Sequence, residues 1–171
     1  MIQIRSGVFE TNSSSSHSIC VRNDKTTFNV DADNICDNLL NGRGVWRIHE
    51  EDVSFGRSPF RYLSKFSEKV CYALANGIKV DTLKNIVQKY VPEFTGFDFT
   101  FSSKYYPTGY TDDNILPRWL TTNNVHLEDF LTSEKYFVIC DGDEYCIFSD
   151  MIKSNIISDK VEHGYSEEDL E

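Results

Sequence analysis

The chain has 171 residues, 40% apolar and 13% aromatic, enough to build one compact domain with a sizeable core and too apolar for a disordered chain. Its formal net charge is −10, and the excess is confined to one part: residues 1–99 carry twelve basic and twelve acidic side chains, residues 100–171 five and fifteen. That imbalance argues against general nucleic-acid binding, which needs basic residues to replace counterions along the phosphates, but not against one small phosphate-bearing ligand held by a local cluster of donors.

No run approaches the ~18 apolar residues of a membrane span, and "MIQIRSGVFE" lacks the basic start and apolar stretch of a secretory signal, so a soluble cytoplasmic protein without membrane contact is expected. The five cysteines, Cys20, Cys36, Cys71, Cys140 and Cys146, show no C-x-x-C spacing and are odd in number. Reduced thiols, mostly in the core, are the expectation.

In chain order, "MIQIR" and "HSICVR" alternate apolar and polar residues, which predicts strands over 2–5 and 17–22 around a serine-rich loop. A first helix is predicted in "DADNICDNLLNG", capped by Asp31 or Asp33, with Ile35, Leu39 and Leu40 on one face and Gly42 at its end. A short strand follows at Val45 to Ile48. Pro59 then suits the first turn of a helix in which Leu63, Phe66, Val70 and Leu74 recur at helical spacing and Gly77 terminates. Asp81 caps a further helix with Leu83, Ile86, Val87 and Tyr90 on one face, stopped before Pro92.

"FDFTF" predicts a strand with Phe97, Phe99 and Phe101 on one buried side. "SSKYYPTGYTDDNILPRW" reads as an aromatic, turn-rich loop, and "NVHLEDFL" as a short helix capped by Asn123 or Asn124. Two apolar runs around Asp-Gly in "YFVICDGDEYCIF" predict a hairpin, and a last helix can start from Ser149 or Asp150. The whole predicts an α+β fold, one domain over 1–160 with an antiparallel or mixed sheet and helices packed on it, followed by an acidic tail over 161–171.

The stretch with the most chemical content is "TNSSSSHS". Backbone N–H groups of Asn12, Ser13, Ser14, Ser15 and Ser16 in a tight bend can form an anion nest, and the serine hydroxyls add donors that rotate to meet phosphate oxygens. His17, with an ordinary pKa near ~6.5, can pass a proton at neutral pH. The same run also reads as a polar turn, because serine hydroxyls bond nearby backbone groups. It matches neither phosphate-loop motif, G-x-x-x-x-G-K-[ST] or G-x-G-x-x-G, nor the G-x-S-x-G elbow.

"HEEDV" at 49–53 begins like a zincin helix but has valine where the second histidine would stand, so no metal or other cofactor is indicated. Arg43, Arg47, Arg57, Arg61, Lys65 and Lys69 form a basic cluster in which Arg57, Arg61 and Lys65 are spaced by four. On a helix starting near Pro59, Arg61 and Lys65 share a stripe, read either as a solvated face paired with nearby acids or as a phosphate grip.

The run "IRSGVFETNSSSSHSI" resembles the amino termini of an uncharacterised group of bacteriophage and prophage proteins carrying V-F-E-T-N-S-S-S-S-H-S, over about the first 20 residues. "FGRSPFRYLSK" resembles that group's F-G-W-G segment followed by lysine and tyrosine, with Arg57 in place of the tryptophan. "VEHGYS" resembles its terminal I-D-H-Q-S, with His163 matching the histidine, Glu162 in place of the aspartate and Gly164 in place of the glutamine.

The resemblance implies a viral protein acting in an infected bacterial cell and supplies no reaction. It raises the weight of a shared site in which Asn12 to Ser16 hold a phosphate, His17 and His163 pass protons, and Arg57 or Arg61 neutralise charge. The ligand class is then a signalling nucleotide or similar phosphate, bound or hydrolysed by a small phosphodiesterase-like activity. The competing expectation is a non-catalytic acidic protein that inhibits a host factor through residues 100–171, with Tyr105, Tyr106 and Tyr110 as anchors and Asp112 and Asp113 among its acids.

Overall fold

A computed structural model describes residues 16–21, 28, 30–37, 39–40, 44–53, 55, 61–100 and 115–141; of Ser16, His17, Ser18, Leu40 and Asp141 it describes the backbone. The fold is α+β, with an antiparallel sheet and a mixed one. The chain divides into two compact units interleaved in sequence. One contains the described residues 16–21, 61–64 and 134–141, the other those of 28–55 and 65–133.

The first unit is built on three strands, β1 (Ser16–Val21), β4 (Arg61–Leu63) and β6 (Tyr136–Asp141), in the order β1-β6-β4 with both pairings antiparallel. "YFVIC" is a continuous apolar run, the pattern of a strand buried on both faces. Accordingly Phe137, Val138, Ile139 and Cys140 are all buried, and β6 is the central strand. Ile19 and Leu63 bury opposite Val138 from either side, and the Tyr62 ring lies 5.1 Å from that of Phe137.

In the second unit β2 (Leu39–Leu40) pairs antiparallel with β3 (Val45–Ile48), and β3 pairs parallel with β5 (Gly96–Phe99). Trp46 and Ile48 are buried and Arg47 is exposed, the alternation of a strand with one covered face. Phe97 and Phe99 lie opposite Trp46 and Ile48 in the register, as their spacing predicts, but both are half-buried; the Phe97 ring is 5.7 Å from Trp46 and 4.9 Å from Phe94. Gly44, at φ 62°, turns the chain into β3 and accepts a hydrogen bond from Thr95 N at 2.6 Å.

The helices are α1 (Ala32–Asp37), α2 (Glu50–Val53), α3 (Phe66–Ala75), α4 (Val80–Tyr90), α5 (Ile115–Asn123) and α6 (Leu127–Thr132). α3 is the central one: it packs against α1, α2, α4 and α6, and every residue from Phe66 to Leu74 except Glu68 is buried. Val70, Cys71 and Tyr72 are indifferent helix formers, each costing roughly 0.5 kcal/mol against alanine. Full burial of one such apolar side chain contributes about 1.5–3 kcal/mol, so packing decides the conformation. α3 ends in a Schellman motif with Gly77 at φ 74°, where Ile78 N donates to Ala73 O and Gly77 N to Leu74 O, both at 3.1 Å.

α4 carries the predicted apolar face, with Leu83, Ile86 and Val87 buried and Tyr90 half-buried. Asp81, expected to cap this helix, lies inside its first turn, and Lys79 holds the N-cap position. Four further expectations change. The helix expected from Pro59 begins at Phe66, because Arg61–Leu63 pair with β6 instead, and the helical spacing of Leu63 with Phe66 is coincidental. The helix expected through Leu39 and Leu40 stops at Asp37, since those leucines pair with Trp46 and Val45.

Ile115 to Trp119, expected in a loop, form the start of α5; Pro117 lies in its first turn, where N–H groups lack intrahelical acceptors. Asn124, expected to cap the following helix, closes α5 at φ 51°, with Val125 N donating to Leu120 O at 3.0 Å and Asn124 N to Thr121 O at 3.3 Å. Asn123 Nδ2 donates to Trp119 O at 2.9 Å, and His126 occupies the N-cap position of α6. The predicted strand over 2–5, Gly42, Pro59, Phe101, the second half of the hairpin after Asp141, the last helix and the acidic tail over 161–171 lie outside the described residues.

Candidate functional site

Most of the predicted site, Asn12, Ser13, Ser14, Ser15, Arg57 and His163, lies outside the described residues, as do Arg43, Tyr105, Tyr106, Tyr110, Asp112 and Asp113. Ser16, His17 and Arg61 are within them. Ser16 and His17 open β1, and Arg61 opens β4.

The sheet register brings two of these positions into one row. His17 pairs with Cys140 on one side of β6, and Arg61 pairs with Cys140 on the other. Ser16, one position earlier, pairs with Asp141. Two strand spacings separate the His17 and Arg61 backbones, about 10 Å, and positions in one cross-strand row belong to the same sheet face.

Antiparallel pairing has a second consequence. Because β1 and β4 both run against β6, both begin where β6 ends. The segment that leads into β1 is the serine-rich run, and the one that leads into β4 contains Arg57. Both therefore join the sheet at the same end.

Cys140 stands between His17 and Arg61 in the row and is buried, whereas Arg61 is half-buried. Sequence reasoning missed its place. The signal was the uninterrupted apolar run of β6, which marks a central strand and so a strand with neighbours on both edges. Among the described residues no disulfide forms, and Cys20, Cys36, Cys71 and Cys140 are thiols; all but Cys36 are buried. Burial, and secondarily Cys140, pushes the Cys20 thiol up, which keeps it protonated and makes it a poor nucleophile.

The basic cluster does not form a helical stripe. Arg61 is in a strand, Lys65 precedes α3 and Lys69 is fully buried within it, so the expected shared face of Arg61 and Lys65 is absent. Arg47 Nε instead donates to Asp98 Oδ2 at 3.3 Å, its cross-strand partner on β5, with both side chains nearly half exposed.

The amino-terminal end of α3 is also occupied from within. Asp31 Oδ1 accepts from Ser67 N at 2.8 Å, Asp31 Oδ2 accepts a short hydrogen bond from the Ser67 hydroxyl, and Asn34 Nδ2 donates to Ser67 Oγ at 2.9 Å. Glu68 Oε2 accepts from Lys65 N at 3.0 Å. Two carboxylates thus meet the positive end of that helix dipole.

His49, the first residue of the zincin-like run, donates its backbone N–H to Asp52 Oδ2 at 2.8 Å, and its Nδ1 is 3.4 Å from Thr100 Oγ1. Among the described residues no group of three or more histidine, cysteine, aspartate or glutamate side chains is arranged to hold a metal ion, and no helix is long and apolar enough to cross a membrane. Comparison with protein-family models, with curated proteins and with solved structures gave no match.

Proposed function

We propose that this chain binds a small phosphate-containing ligand, such as a signalling nucleotide, at the end of the β1-β6-β4 sheet, in the setting of a phage-infected bacterial cell. The observation that supports it is the row His17, Cys140, Arg61, which places an imidazole-bearing and a guanidinium-bearing position on either side of the central strand. The donor-rich run Asn12 to Ser16 leads directly into the first of these positions.

In this reading backbone N–H groups and hydroxyls of Asn12, Ser13, Ser14, Ser15 and Ser16 hold phosphate oxygens, and Arg61 or Arg57 balances their charge in a bidentate grip. Neutral His17 accepts a proton from water as the water oxygen attacks phosphorus. The P–O ester bond breaks, and the leaving oxygen takes a proton from a second group, for which His163 is the candidate. Without that second transfer the same site binds without turnover.

The test is titration of the purified chain with nucleoside mono- and diphosphates and cyclic dinucleotides. A charge-assisted hydrogen bond contributes about 1.5–3 kcal/mol, so Arg61→Ala and Ser15→Ala are expected to weaken binding roughly 10- to 100-fold. His17→Ala is expected to abolish turnover while retaining most of the affinity. Affinities unchanged in Arg61→Ala and Ser15→Ala overturn the reading.

The second reading, an acidic inhibitor of a host factor, is favoured by one observation: the entire net charge of −10 is carried by residues 100–171. It expects a stoichiometric host protein in a pull-down, lost when Asp112 and Asp113 are changed to asparagine. Recovery of no partner at low salt counts against it.

A further inference from the structure

We draw no further inference here: the strongest candidate, the exposed His49 ring 3.4 Å from the Thr100 hydroxyl at the carboxyl ends of the parallel strands β3 and β5, is a single side-chain pair, and nothing in the structure shows what it would bind.

Discussion

The ammonium of Lys69, at zero solvent exposure, donates to the Phe130 carbonyl at 2.8 Å and to the Ser133 carbonyl at 2.9 Å, and lies 5.6 Å from the centroid of the Phe130 ring. Those carbonyls close α6, where the last turn has no intrahelical donors and the dipole is negative. A positive charge inside the protein is costly unless it is paired, and here the end of a neighbouring helix supplies the acceptors.

Replacing this lysine separates the two opposing effects. Lys69→Met removes the desolvation cost of the ammonium but takes its hydrogen bonds from one buried and one partly buried carbonyl, at about 1–3 kcal/mol for the buried one. The expected net result is a loss of about 2 kcal/mol, read as a lower urea midpoint. An unchanged midpoint shows that the two effects cancel and that Lys69 adds nothing to stability.

Asp31 precedes one helix and caps another, and the two roles can be told apart. Asp31→Ala is expected to cost about 1–2 kcal/mol, the usual range for losing a cap. Asp31→Asn keeps an acceptor for Ser67 N and is expected to cost less. Equal losses in both variants indicate that charge, rather than the hydrogen bond, holds the start of α3.

Glu128 joins α4 to α6 by accepting from Lys89 Nζ at 2.6 Å and from the Tyr90 hydroxyl at 2.7 Å. The Lys89 bond first, and the Tyr90 bond second, hold its carboxyl below the usual range. A depressed folded pKa means stability that is present above the unfolded value, about 4.3, and is lost as pH falls through the folded one. Lys89 and Glu128 are 58% and 34% exposed, so solvent screening limits this to under about 1 kcal/mol. Glu128→Gln is expected to flatten the acid limb of the stability profile, and an identical limb refutes the link.

Burial, then the bond to Glu128, pushes the Tyr90 hydroxyl up to about 12. Its raised pKa implies the opposite dependence: the contribution is complete below the unfolded value near 10 and disappears as pH rises through about 12. Ultraviolet titration of the phenolate, compared between the native chain and Tyr90→Phe, reads that midpoint directly. A Tyr90 midpoint at the ordinary value contradicts the Glu128 contact.

Two glycines in the same unit should respond differently to alanine. Gly44 has φ 62°, and a Cβ there overlaps the Glu93 carbonyl oxygen, whereas a Cβ on Gly96 meets nothing within 4 Å. The left-handed backbone alone costs an alanine about 1–2 kcal/mol, and the overlap adds to it. Gly44→Ala is expected to lower the thermal midpoint by several degrees. Gly96→Ala is expected to leave it unchanged or raise it slightly, since a residue with a side chain suits a strand better.

Which elements could be read from the chain follows from how local their causes are. α4 was legible because a single face, Leu83, Ile86 and Val87, repeats at helical spacing with Pro92 just beyond it. β3 was legible as a short strand, and the first strand of the expected hairpin from its uninterrupted apolar run. β4 was not: Leu63 falls in helical phase with Phe66, and only pairing with Val138, far along the chain, draws it into a strand. Leu39 and Leu40 left their expected helix for a nearer partner, pairing with Trp46 and Val45 of β3.

The chemistry divides in the same way. Residue order alone singled out the serine run, its terminal histidine and the nearby arginines, because donor type and spacing are properties of neighbours. Tertiary pairing alone decided that His17 and Arg61 flank Cys140 and that Lys69, one more member of a basic cluster on paper, is consumed by the end of a helix. Strand register and burial depend on contacts between distant segments, and no local pattern encodes which acceptor a long, flexible side chain will reach.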